Sequence, residues 1–277
     1  MGLVINHNMM AQSALRNLTG TYRKMSESIE ALSSGLRVNS ADDDAAGLAV
    51  REDMRADVAA IAQGIRNAND AISMVQTFDG AAQVIDEKLI RMKELAEQGA
   101  TGTYSSTQLS IMNDEFGKMR DEIERIANAT EFNGIHGLNS SGAITIHFGP
   151  GNSSATDYYD VTEQNMTASS AGLDLDSLTI GNQASAQAAL TSLDSAITAK
   201  DQARAHFGAM VNRLENTVAA LEIQRENLQA AESQISDVDV AQEMTTLTKN
   251  QVLAQAGVAM LSQANTVPQM ALSLLGG

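Results

Sequence analysis

The sequence predicts a mainly α fold: an elongated bundle of long, coiled-coil-like helices with a small β-hairpin region between two helical arms. Three observations carry that prediction. Apolar residues recur at spacings of three and four along most of the 277 residues, as in helices that pack seam against seam. The core material is aliphatic. There is no Trp, and five Phe and four Tyr are the only other aromatics, so Ala, Leu, Ile, Val and Met supply the bulk that aromatics lend to most large cores. Two Pro in the whole chain leave room for very long helices.

The first seam is Leu15, Leu18, Tyr22, Met25, Ile29 and Leu32, and Gly35 is placed to end its helix. Ser40 then caps a new helix, with Asp42, Asp43 and Asp44 complementing its N-terminal dipole. A second seam runs Val58, Ile61, Ile65, Ala68, Ile72, Val75, and a third runs Leu109, Met112, Phe116, Met119, Ile123, Ile126. Residues 133–183 change character, being rich in Gly, Ser, Thr and Asn. There Ile144, Ile146 and Phe148 alternate with Thr145 and His147, which is strand periodicity. Gly149-Pro150-Gly151-Asn152 reads as a turn, and Tyr159 and Val161 alternate again. The fourth seam is the longest: Leu190, Leu193, Ile197, polar Lys200 and Arg204, then Phe207, Val211, Leu214, Val218, Leu221, Arg225 and Leu228 toward Ile235. At ~1.5 Å per residue it predicts a rod of roughly 70 Å. The fifth is Val240, Met244, Leu247, Gln251, Ala254, Val258, Leu261, Asn265, Pro268, Leu272 and Leu275, with Gln251 and Asn265 as polar register markers.

Charge and composition exclude several functions. A net charge of −16 disfavours nonspecific binding to nucleic acid or to anionic membranes. With no Cys there is no disulfide, thiolate catalysis or Cys-type zinc site. His7, His136, His147 and His206 are scattered, with no pair at ligand spacing on one helix face, and no phosphate-binding or nucleophile-elbow motif occurs. The Asp42–Asp44 run lacks the alternating acids, central Gly and late Glu of a calcium loop. No catalytic residue, metal ligand or cofactor is expected, and no membrane insertion, since no run of eighteen apolar residues exists. No basic n-region opens the chain, which leaves a cytosolic protein or secretion by a route without a cleaved peptide. No Lys, Arg, Asp or Glu precedes Arg16 or follows Lys249. Two amphipathic, charge-free ends suit each other as a helix pair, and their outer faces then call for further chains.

Three stretches carry a family resemblance. SSGLRVNSADDDAAGLAV (33–50), TEFNGIHGLN (130–139) and QAGVAMLSQANTVPQMALSLL (255–275) resemble the signatures of bacterial flagellin. The likeness covers roughly 1–140 and 185–277, and more loosely the β insert. Asp42 and the final Gly276-Gly277 depart from the common pattern without touching the seams. The resemblance implies a minimal flagellin, with 1–42 and 236–277 as a terminal coiled-coil domain forming the filament core. Residues 43–235 would be a rod-like helical domain, with the β-hairpin region at about 140–183. It implies a non-enzymatic structural subunit that polymerises with copies of itself into the flagellar filament for swimming motility. The seam Leu15, Leu18, Tyr22, Met25, Ile29, Leu32 and Met244, Leu247, Val258, Leu261, Leu272, Leu275 would carry self-assembly. It further implies type III export to the extracellular flagellum, with an export chaperone, the filament cap and hook–filament junction proteins as partners. The alternative is a hook–filament junction protein with flagellin-like ends.

LIRMKELAEQGATGTYS (89–105) resembles the stretch by which such flagellins bind Toll-like receptor 5. By matching motif, Arg91, Leu95 and Glu115 are the expected contacts. Arg91 and Leu95 are four apart, hence on one helix face.

Overall fold

In a computed structural model the backbone is described for residues 7–275, and side chains are described to Val267 and at Met270. Five helices and four short strands follow in the order α1 (Met9–Ser34), α2 (Ala45–Ala100), α3 (Ser106–Ala129), β1 (Glu131–Phe132), β2 (Ile135–His136), β3 (Ala143–His147), β4 (Tyr158–Thr162), α4 (Gln183–Ser236) and α5 (Val240–Leu275). The five seams read from the sequence each lie within one helix. The chain divides into two compact units: a terminal unit of residues 1–56 and 227–277, and a central unit of residues 57–226.

The terminal unit takes in 43–56 and 227–235, which the sequence reading put in the rod. Polar ties explain the difference. Arg51, 7% exposed, donates from Nη1 to the Val38 carbonyl at 2.6 Å, and Arg55 Nε lies 3.8 Å from Glu232 Oε1. Gly35 closes α1 as expected, at φ 74° with its N–H on the Ala31 carbonyl, a conformation open to glycine. The start of α2 is corrected by one turn. Asp44 Oδ1, not Ser40, accepts from the Gly47 N–H at 2.9 Å and caps the helix. Ser40 serves the loop instead, its N–H donating to Asp43 Oδ2. That bond, with a second from the Asn39 N–H, lowers the Asp43 pKa.

In the central unit α2, α3 and α4 close around Phe78, Phe116 and Phe207, with Ile85, Leu89, Met92, Ile123 and Leu193 fully buried. Helices α2 and α4 run antiparallel, as shown by Asp79 with Arg204, Asp86 with Lys200 and Lys93 with Asp194. Helix α3 starts with a capping box, Ser105 and Gln108 satisfying each other's backbone. The segment between β4 and α4 is pinned to α3 by side chains that satisfy loop backbone groups. Glu124 accepts from the Ala168 N–H at 2.7 Å and Asn113 from the Ile180 N–H at 2.8 Å.

The strand alternation at 143–148 forms an antiparallel pair with β4, in the register Ile144↔Val161 and Ile146↔Tyr159. Ile144 and Ile146 face inward, and Phe148 packs on Tyr159 with ring centroids 4.6 Å apart. Helix α2 meets this hairpin at Gly64, where a Cβ would lie 1.9 Å from the Phe148 carbonyl oxygen. The guanidinium of Arg213, from α4, stacks 3.5 Å above the Tyr159 ring. A second hairpin, β1–β2, escaped the sequence reading because each strand has only two residues. Its chain continues to Gly137, held so close to Phe78 that a Cβ would lie 2.3 Å from the ring.

Candidate functional site

The two terminal helices, uncharged at their outer ends, come together. Helices α1 and α5 run antiparallel. Asn8 Nδ2 donates to the Ala264 carbonyl at 2.8 Å, Leu18 meets Gly257, and Leu36 bridges Asp237 beyond the other end. Among the described residues they are the one helix pair whose Cα atoms approach within 8 Å at more than isolated points. Small residues make that approach possible. On α5 the inner face is Leu247, Asn250, Ala254, Gly257, Leu261 and Ala264, a four–three repeat. On α1 it is Ala11, Ala14, Leu18, Thr21, Met25 and Ser28. A Cβ on Gly257 would already lie 3.0 Å from Leu18 Cδ1.

The predicted assembly seam therefore splits in two. Leu18 is buried and Met25 and Leu32 are half-buried against the partner helix, as are Leu247 and Leu261. Leu15, Tyr22 and Ile29, offset from these and seven apart from each other, face away and are 52%, 46% and 50% exposed. Met244 and Val258 are exposed in the same way on α5. Leu272 and Leu275 lie on α5, and their side chains fall outside the described residues. Sequence reasoning took the large residues for one seam and missed the small ones. The signal was present: Ala11, Ala14, Leu18 and Thr21 repeat at three and four as faithfully as Leu15, Leu18 and Tyr22.

Among the described residues, most exposed large apolar side chains sit on this pair. Besides those above they include Met9, Met10, Val240, Val252, Leu253 and Met260. The inner face is thin by comparison. Leu18 is the one large apolar side chain on α1 that is buried, worth about 2 kcal/mol. Two helices holding so little between them, with so much apolar surface outside, form a half-built core. Between them runs a shallow groove lined by Met10, Ala14, Leu18, Leu253, Gly257 and Met260.

The expected receptor contacts do not share one surface. Arg91 donates to Glu115 Oε1 at 2.8 Å and to Glu94 Oε2 at 3.0 Å, with both Arg91 and Glu115 substantially exposed. These hydrogen bonds, Glu115 first, raise the Arg91 pKa. Leu95 is 2% exposed and belongs to the core of the central unit. Four residues turn a helix by about 40°, enough to carry Leu95 from the rim, where Arg91 sits, into the packed face.

Among the described residues, no group of three or more His, Asp or Glu is placed to hold a metal ion, and no helix is long and apolar enough to cross a membrane. Family models for the N-terminal and the C-terminal helical regions of bacterial flagellin match residues 5–143 and 190–275. The chain is 41% identical to a flagellin of Halalkalibacterium halodurans over 274 residues, covering 99% of this chain and 100% of that one. It is 40% identical to a 33 kDa flagellar filament core protein of Treponema phagedenis, over 99% of this chain and 100% of the relative. The crystal structure of Bacillus cereus flagellin superposes with a TM-score of 0.51 at 31% identity, covering 60% of this chain and 94% of that one.

Proposed function

Because the chain belongs to the bacterial flagellin family and is a structural subunit of the flagellar filament, we propose that it polymerises through the outward faces of the α1–α5 pair. The observation that carries this reading is the split seam. Leu15, Tyr22, Ile29, Met244 and Val258 form apolar stripes that stay about half exposed among the described residues, on helices free of charge at their outer ends. Copies of the pair would bury those stripes against one another. Burying such stripes is favourable by about 25 cal/mol per Å². A hook–filament junction role is not favoured, since the full-length relatives are filament proteins.

In the same reading the protein is not an enzyme. It leaves the cell through the flagellar type III apparatus to the extracellular filament, and meets an export chaperone, the filament cap and hook–filament junction proteins. A chain without Cys suits threading in unfolded form. Toll-like receptor 5 would contact Arg91 and Glu115, with Leu95 supporting the helix from beneath.

The test is polymerisation of purified chain, followed by electron microscopy and light scattering. Wild type should form long tubes. Val258→Asp and Tyr22→Asp should abolish them while circular dichroism stays unchanged, because neither residue is buried within the monomer. Normal filaments from either variant would reject the assignment of the outer stripes.

A further inference from the structure

We propose that Asn133 is a site of non-enzymatic backbone rearrangement, passing through a cyclic imide with Gly134 to aspartate and isoaspartate. Asn-Gly occurs once in the chain. It forms the two-residue connection between β1 and β2, with φ 52° at Asn133 and 79° at Gly134, and both residues are exposed. A tight hairpin turn of this hand favours that pair, which accounts for its presence. The same pair carries a chemical liability, since Gly134 has no side chain to hinder its nitrogen from reaching Asn133 Cγ.

Asn133 is the one asparagine that joins a following glycine to a lack of restraint. Asn113 and Asn182 hold backbone N–H groups of Ile180 and Ser185 with their Oδ1 atoms, and Asn39 donates to the Leu36 carbonyl. Among the described residues, neither the Asn133 carboxamide nor the Gly134 N–H makes a hydrogen bond. Ring closure requires the Asn133 backbone to leave its left-handed conformation. The hairpin that holds it there has just two residue pairs, Glu131↔His136 and Phe132↔Ile135, so the necessary opening is local.

The steps balance without an oxidant. Hydroxide takes the Gly134 amide proton. The nitrogen attacks Asn133 Cγ, the new N–Cγ bond forms, the Cγ–Nδ2 bond breaks, and Nδ2 takes a proton from water and leaves as ammonia, regenerating hydroxide. Water then opens the ring at either carbonyl, giving aspartate or isoaspartate. Isoaspartate adds one carbon to the backbone between β1 and β2 and places a carboxylate two residues from Glu131. The chain beyond this turn leads directly to Gly137, pressed on the Phe78 ring, and to fully buried Leu138. A change in an exposed turn thus reaches the core of the central unit.

The experiment incubates the full chain at mildly alkaline pH in heavy-oxygen water, folded and in urea, with peptide mass mapping and isoaspartyl methyltransferase labelling. In the folded chain Asn133 should convert within about tenfold of its rate in urea. Each product should gain one heavy oxygen, Asn113 and Asn182 should stay intact, and Asn133→Gln should lose the methyl label. The fully converted chain should melt at a lower temperature. Overturning results are an intact Asn133 in the folded chain when the unfolded chain has half converted, or equally fast conversion at Asn113 and Asn182. An unchanged melting temperature after full conversion would overturn the link to the core. If Asn133→Gln misfolds, the folded-against-unfolded comparison on wild type still decides the matter.

Discussion

The Lys200 ammonium lies 2.5 Å from the Asp86 carboxylate, on a side chain 3% exposed in a seam of alanine and leucine. Asp201 lies 2.6 Å from the same nitrogen, and one turn along α4 Arg204 grips Asp79. Asp79 and Asp86 are seven residues apart on α2, so the two pairs mark fixed heights along the antiparallel α2–α4 contact. In a repeat that would otherwise tolerate a slip, paired charges specify register.

Lys200→Met should therefore destabilise the central unit by about 1–3 kcal/mol, read by urea unfolding. This is less than the ~3–5 kcal/mol of a fully buried pair, because Asp86 is 24% exposed and can rehydrate. Lys200→Met with Asp86→Leu should recover most of the loss. Burial works against the ammonium, but hydrogen bonds to Asp201 and Asp86 outweigh it and raise the Lys200 pKa above 10.5. A raised folded-state value means that this stability is fully present below the unfolded pKa. It is lost as pH rises through the folded pKa, so the contribution should fade only above about pH 10.5. Loss of the Lys200→Met effect at neutral pH would contradict this account.

Gly64→Ala should be among the most damaging single methyl additions, because the obstacle is the Phe148 backbone carbonyl rather than a mobile side chain. Displacing the β3–β4 hairpin should cost about 1–3 kcal/mol or more. Gly137→Ala meets an aromatic ring with its own neighbours and should fall in the same range. Gly80→Ala, with open space around it, should be neutral or slightly stabilising. Thermal melts of the three variants give the ranking directly.

Leu261→Asp differs in kind from changes on the outer stripes. Leu261 is half-buried on the inner face, so its carboxylate should loosen the α1–α5 pair as well as stop polymerisation. Hydrogen exchange should show faster amides in residues 9–34 of the variant monomer. Deleting residues 250–277 should give a soluble monomer with the central unit intact, checked by sedimentation and circular dichroism.

For receptor recognition, Arg91→Ala should lower a Toll-like receptor 5 reporter response to monomer while leaving the thermal melt essentially unchanged, as exposed ion pairs contribute little. Leu95→Ala should instead cost about 2–4 kcal/mol, since its site is closed to solvent. A full response from Arg91→Ala would dismiss the contact.

The long helices were legible because their seams persist for many turns and few glycines or prolines interrupt them. The inner face of each seam was harder to read. In α4 the sequence singled out Leu190, Ile197 and Val211, while the most buried positions include Ala189, Ala196 and Ala203. A pattern search weighted toward bulk passes over buried alanines. The β1–β2 hairpin and the Asp44 cap depend on two or three atoms of local geometry, below what periodicity can register. The Arg91–Glu115 pair spans two helices and needed the tertiary structure to bring it together.

Tyr22 has one more consequence. It is the sole aromatic residue of the terminal unit, it stands on the exposed stripe of α1, and the chain has no Trp to mask it. The remaining Tyr and every Phe belong to residues 57–226. Replacing Tyr104, Tyr158 and Tyr159 by Phe would leave a single tyrosine, excitable apart from Phe at longer wavelength, at the proposed contact. Its emission and its quenching by iodide would then follow subunit addition in real time, without an attached dye.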